Sequence, residues 1–449
     1  MKNYDVVIAG GGFSGSIAAI AASREGAKTL VIESNGFLGG TLTGAGVGPM
    51  MTFHAGDKQV IRGITDELIE RLKESGKSPG HILDSSMYTY SVTPFDAEAM
   101  KYEIETMLLE SGGEVLYHTM LAGAQMSNGS IESIKICNKA GVSDIKAKIF
   151  IDATGDGDLG AFAGIPFTKG REKDGAAQPM TLNMKIRDVN MEKLKEFIKK
   201  DPENFARIHK DVTTIDKVPR LSVIGFVKEF NEAKEKGEIS IKREDVLFFE
   251  TNNPGEIIVN TTRILGCDST DPWSLSKAEI EGRKQCKELE AFFKKYLTGF
   301  ENATFIQSGP SIGVRGSRQI KGLYTLTAED LLNKEKFEDT IAHSGYPIDI
   351  HSPDGEGTAS KMLEWGDYYN IPLRILVPEN IDNLIVVGRC VSATFEAQAA
   401  IRVTPTVGAI GQAGGTAAAI AAKKMISVQN VDAKEVQERL VENGSYLDV

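Results

Sequence analysis

The 449-residue chain is 41% hydrophobic and 25% charged, enough to bury large cores and to form two domains sharing one ligand. A formal net charge of −11 without a basic run excludes nucleic acid and an anionic membrane as main partners and favours small molecules, with a homo-oligomer left open. Four scattered cysteines without a CxxC pair exclude a zinc site or redox dithiol and fit a cytoplasmic setting, and no run of about 18 apolar residues suggests a membrane span.

The first predicted element is a strand, since Val6 to Ala9 form the short continuous apolar run of a parallel strand covered on both faces. Asp5 and the glycines at 10–12 interrupt that start, which argues against a signal peptide. Gly10, Gly12 and Gly15 then spell G-x-G-x-x-G, permitting a tight turn, close approach of a pyrophosphate and close helix packing. The alanine-rich stretch from Ser14 to Glu25 predicts a helix whose N-terminal amides face the phosphates. The next strand, Thr29 to Ile32, ends in Glu33, eighteen positions after Gly15. That lies near the spacing of about 20 for an acid that bonds ribose hydroxyls. Glu33 also disfavours NADP, whose 2′-phosphate would meet a carboxylate, so FAD or NAD remain.

The glycine-rich FLGGTLTGAGVGPM, from Phe37 to Met50, follows at once and lets backbone lie against an extended cofactor. TPFDAEAMKYEIETMLLESGG predicts a helix with Thr93 as N-cap, Pro94 first, and Met100, Ile104, Met107 and Leu108 on one face. Val115 to Tyr117, Ile131 to Cys137 and Lys146 to Ile151 read as a small sheet element and the return to the central sheet. In IFIDATGDGDLGAFAG, residues Gly155, Gly157 and Gly160 repeat the glycine spacing. Asp156 and Asp158 would oppose a pyrophosphate, and no second βαβ unit follows, so this segment reads as part of the first site. From about Pro179 to Ile371 strands alternate with polar helices, including one from Ser274 to Tyr296 and a lysine- and glutamate-rich solvated face from Met191 to Lys210. NLIVVGRC is a further buried strand ending at Gly388, and a small-residue helix starts near Pro405.

These blocks, together with IGVRGSRQIKGLYTLTAEDL from Ile312 to Leu331 and SATFEAQAAIRVTPTVGAIGQAGGTAAA, resemble the FAD-dependent oxidoreductases with a glutathione-reductase-type flavin domain. The resemblance implies a discontinuous α/β, Rossmann-like FAD-binding domain at 1–178 and 372–449, with an inserted α+β substrate domain at 179–371. It implies FAD as cofactor, held at the first turn by Gly10, Gly12, Phe13, Ser14 and Gly15 and at the ribose by Glu33 and Ser34. It further implies contacts from Gly39, Gly40 and Thr41, from the backbone of Leu121 at the adenine, from Ala153, Thr154, Gly155 and Asp156, and from Gly388, Arg389, Pro405 and Thr406. Phe395 stands where this branch often has His, and Val407 where Cys often follows Pro-Thr, so activities needing those side chains are not implied.

The implied activity is two-electron (hydride) transfer between flavin and a small polar organic substrate, with an unidentified electron donor or acceptor. An oxygen-using monooxygenase or halogenase and an electron-transfer subunit are the alternatives. Arg402, before the helix at Pro405, is a candidate for stabilising reduced flavin or holding a carboxylate, or is a structural ion pair. Arg315 and Arg318 are candidate oxyanion clamps. His54 is a candidate proton donor or acceptor, although a satisfied loop histidine is the more frequent case. His343 and His351 carry the same two readings, and Tyr324 reads as core. No Ser-His-Asp, HExxH, Walker or other metal-ligand motif offers another chemistry.

Overall fold

The computed structural model describes residues 3–206 and 208–448. Its centre is a five-stranded parallel sheet in the order Leu384–Val386, Ala147–Asp152, Tyr4–Ala9, Thr29–Ile32, Glu114–Leu116. Val6, Val7, Ile8 and Ala9 are wholly buried, as a central strand covered on both faces requires. The fold is therefore Rossmann-like, and the turn after the first strand lies at one end of the sheet, where the helix Phe13–Arg24 begins.

Every residue from Phe13 to Ser23 is buried. The small-residue helix Thr404–Lys424 lies directly against this first helix. A Cβ on Gly415 would sit 2.1 Å from the Ala18 carbonyl oxygen, so the two backbones touch where only hydrogen fits. Gly415→Val is expected to cost about 1–3 kcal/mol through overpacking, read as a lower urea midpoint at unchanged slope.

Several elements begin elsewhere than the sequence pattern places them. The helix expected from Thr93 spans Ala97–Glu110 and is capped by Asp96, which accepts from the amides of Glu98 and Ala99. Thr93 ends the strand Ser91–Thr93, and its hydroxyl is 2.7 Å from His81 Nδ1. A carboxylate four residues into the motif thus outcompetes a hydroxyl engaged elsewhere. The long helix runs Pro272–Tyr296 with Asp271 as cap. The strand expected at Val115 spans Glu114–Leu116 and joins the parallel sheet, whereas Ser130–Asn138 pairs with Met120–Ser127 and Gly141–Ile145 in a separate antiparallel sheet. Of the stretch Met191 to Lys210, only Met191–Lys200 is α-helix, and Phe205 and Ile208 are fully buried, so its second half is not a solvated face. Arg207 lies outside the described residues.

A second sheet is antiparallel throughout, in the order Ser222–Gly225, Val246–Glu250, Ile257–Val259, Met184–Arg187, Thr304–Ser308. Its hydrophobic core is separate and draws on residues from Met180 to Ile312. Ile341, Ile348, Tyr369 and Ile371 pack instead in the first core. The hairpin of Ile348–His351 with Thr358–Lys361 therefore packs on the first core, and Arg263 of the second sheet region reaches its loop at Ser352 and Gly357. No helix among the described residues is long and apolar enough to cross a membrane.

Candidate functional site

One cavity of about 820 Å³ runs from the glycine turn to the second sheet. At the turn, Gly10 has φ +103° and no room for a side chain, since a Cβ would meet the Ala153 carbonyl oxygen at 2.5 Å. Gly15 packs as tightly on Gly10. Gly12 differs, because a Cβ there would meet nothing nearer than 3.9 Å and the residue lines the cavity. Its missing side chain leaves space for a ligand. Gly12 is also the N-cap of Phe13–Arg24 and supplies no side-chain cap, so the first-turn amides are free for an anion. Ser14 Oγ is buried without a partner and Ser14 lines the same space. These features fit a pyrophosphate.

Glu33 ends the second strand with 7% exposure. One carboxylate oxygen accepts from the Gly11 amide at 2.7 Å, and the other from Ser34 Oγ and from the Asn35 amide and side chain. The acid therefore braces the glycine turn besides facing the cavity. Ser34, Gly40, Thr41 and Leu121 line this end, while Gly39 stands behind it in a bridge to Gly12. Ala153, Thr154, Gly155, Asp156, Gly388 and Arg389 form a further wall, with Ala153 against the glycine turn. Buried Asp152 shapes that wall by accepting from Thr154 and the Gly160 amide. Asp156 pairs with Arg389 at 3.0 Å and accepts from Ser317 and Ser269. Burial alone would raise its pKa, but Arg389 and the serines outweigh this and hold it low. Asp156 thus serves Arg389 and does not meet a phosphate bare. The second glycine pattern leads only into the short helix Asp158–Phe162.

The helix Thr404–Lys424 also opens toward the cavity without a side-chain cap, through Val403, Thr404 and Val407. Pro405 and Thr406 stand just behind, with Thr406 Oγ1 bonded to Ser344 Oγ at 2.8 Å. Phe395 starts the preceding helix and does not line the cavity.

The far end is dense with charge. Arg315 and Arg402 both line it, as do Arg243, Arg263, Tyr346, Asp349 and His351. Asp349 Oδ2 lies 3.3 Å from His351 Nε2, 3.3 Å from the Tyr346 hydroxyl and 3.9 Å from Arg402 Nη2. Burial would raise the Asp349 pKa, but His351 and Arg402 reverse that and hold the carboxyl well below its usual range. His351 is pushed down to about 3, first by burial and next by Arg315, so its imidazole is neutral at physiological pH. With Nε2–H turned to Asp349, Nδ1 accepts from the Thr358 hydroxyl at 3.2 Å, and Thr358 lines the cavity.

The structure does not bring His54 or Arg318 to this cavity. His54 Nδ1 lies 2.9 Å from Ser91 Oγ and its ring packs on His81 and Tyr90. Arg318 donates through Nη1 to Asp158 Oδ1 and the Asp156 carbonyl and lies over Phe167, which holds it in the wall behind the cavity lining. His343 pairs with Asp448, and Tyr324 bonds Asp330. Arg243, Arg263, Tyr346 and Asp349 did not stand out in the sequence, where isolated arginines and an SGYPIDIH stretch carry no spacing signal; only the fold collects them.

Three histidines, His343 and His351 buried and His54 half-buried, share one sign of pKa shift. His54 is pushed down to about 4 by burial and by His81, His343 is lowered by burial, and His351 falls to about 3. Between those values and the unfolded pKa near 6.5, the unfolded chain binds more protons, so stability falls as pH drops from about 6.5 toward 4. His351→Gln removes one such group. Urea unfolding across that range is expected to show a slope shallower by up to ~1.4 kcal/mol per pH unit than in the unaltered chain.

A sequence-family model described as FAD dependent oxidoreductase matches residues 5–440. A digeranylgeranylglycerophospholipid reductase of Thermoplasma acidophilum is 26% identical over 181 residues, 37% of this chain and 43% of that relative, so the match spans less than half of its length. Among solved structures, a geranylgeranyl bacteriochlorophyll reductase-like protein of Thermoplasma acidophilum is 15% identical, covering 98% of this chain and 83% of that one at TM-score 0.48. A flavin-dependent brominase is 14% identical, covering 98% and 83% at TM-score 0.49.

Proposed function

From the premise that the chain belongs to the FAD-dependent oxidoreductase family and is an FAD-dependent enzyme, we propose that it moves two electrons between FAD and a small polar organic substrate seated at the arginine end of the cavity. One observation carries this reading: a single cavity joins the uncapped helix at Gly12 to Arg315, Arg402, Asp349 and His351. Residues 1–178 and 372–449 form the flavin-binding part in this reading, of the glutathione-reductase type. The antiparallel sheet with the hairpin at Ile348–His351 forms the substrate part.

FAD, when bound, supplies the hydride chemistry. Gly12, Ser14 and the first-turn amides of Phe13–Arg24 hold its pyrophosphate, Glu33 the ribose, and the backbone at Leu121 the adenine. The uncapped start of Thr404–Lys424 and Arg402 favour negative charge at the redox centre. Arg315 orients the substrate. The substrate's proton passes through the Thr358 hydroxyl to His351 Nδ1, and Asp349 stabilises the imidazolium that forms. This role falls to His351, not His54, because His351 shares the cavity with the arginines.

Protein reduced with dithionite and mixed with air-saturated buffer tests the reaction class. Slow reoxidation is expected of a dehydrogenase or reductase, and rapid reoxidation would identify an oxygen-using flavoenzyme instead. Arg402 supplies a second measurement. Its Nε is buried without a partner and its head stands 3.9 Å from Asp349. Arg402→Met is expected to lower the flavin midpoint potential and slow reduction with FAD retained. Arg402→Lys keeps the charge without the planar fork and is expected to keep most of the potential while losing substrate affinity.

A further inference from the structure

Four arginines line this end of the cavity, and two of them lie outside salt-bridge reach of its acids. Arg243 is 8% exposed and paired with Asp245 at 3.0 Å, and Arg402 shares Asp349 with His351. Arg263 and Arg315 have no carboxylate within 4.0 Å among the described residues. Arg263 is 4% exposed; it reaches the carbonyls of Ser352 and Gly357 through Nη2, while its Nε is buried without a partner. Arg315 spends Nη1 on the Pro179 carbonyl and Thr181 Oγ1, and Nη2 stands 3.5 Å from Asn260 Oδ1. The remaining acids here are engaged or solvated: Glu279 by Arg283 and the Ile312 amide, Glu356 by Lys234 at the surface, and Glu244 exposed.

We propose that this end is a dicarboxylate site, one carboxylate of the substrate resting on Arg315 beside Arg402 and the other on Arg263 beside Arg243. Two guanidiniums without a direct ion pair, on separate anchors, one tied to Thr181 and one to the hairpin ends at Ser352 and Gly357, suit two anionic groups of one ligand. Mutual repulsion agrees: Arg315 is pulled down to about 9 by burial and then by Arg402 and Arg243, and Arg263 to about 10 by burial and then by Arg243. A bound dianion relieves that repulsion and satisfies the buried donors.

This site rests on the oxidoreductase reading for its place in turnover, yet its test needs no turnover. FAD-loaded protein is titrated with succinate, acetate and inorganic phosphate, with binding followed by calorimetry and by the flavin absorbance. Succinate is expected to bind 1:1 and at least about 10-fold more tightly than acetate or phosphate. Arg263→Gln and Arg315→Gln are each expected to weaken succinate at least about 10-fold at unchanged FAD content, with folding read separately by circular dichroism, and Arg263→Lys and Arg315→Lys to restore part of the loss. Equal binding of succinate and acetate, a preference for phosphate, or unaltered succinate binding in correctly folded variants would overturn the site. Should succinate bind as expected while reduced enzyme reoxidises rapidly in air, the site stands and the reaction class falls.

Discussion

Gly12→Asp protein is expected to be recovered colourless, with FAD below a tenth of the equimolar content released by acid from the unaltered chain. Gly12 is where the turn leaves open space, its would-be Cβ being 3.9 Å from the nearest neighbour, so the fold tolerates a side chain there and the ligand does not. A carboxylate at that point occupies the pyrophosphate's room and places negative charge at the helix N-terminus that would otherwise hold phosphate. Folding is read separately by circular dichroism and urea unfolding, which are expected to change little against FAD-free protein. Glu33→Ala loses less FAD but also loosens the turn, since the Gly11 amide gives up its acceptor. Equimolar FAD in Gly12→Asp would show that the turn is structural and that the cofactor lies elsewhere in the cavity.

The second large effect is expected from His351→Gln, which should slow substrate-dependent flavin reduction or oxidation by about 100-fold or more while FAD content stays equimolar. Glutamine keeps a polar contact to Asp349 but has no basic nitrogen opposite the Thr358 hydroxyl. In the free enzyme the imidazole is a weak base, held down by burial and then by Arg315. An anion on Arg315 offsets the second of these causes, so basicity rises when substrate binds. The pH profile of the single-turnover rate is therefore expected to rise with pH through a pKa above 3 in the unaltered chain and to lose that limb in His351→Gln. An unaltered rate and profile would remove His351 from the chemistry and leave Tyr346 as the group to test.

The flavin end was legible in the chain because its signals are local. Strand, glycine turn, helix and acid lie within Val6 to Glu33, and each residue acts on backbone or ligand within a few positions of itself. The sequence by itself also determined the parallel strand pattern and the close packing of the helix Thr404–Lys424, since small residues at Gly411 and Gly415 report directly on backbone approach. Tertiary structure alone decided the reacting end. Arg243 and Arg263 come from the antiparallel sheet region, Arg315 from the loop after Thr304–Ser308, Asp349 and His351 from a hairpin, and Arg402 from between two helices. Nothing in their spacing relates them, because charge–charge coupling acts through space and depends on which water the fold removes. The same reason separates His54 and Arg318 from the cavity: both stand near flavin-type blocks in sequence, but the chain turns their side chains onto Ser91 and Asp158.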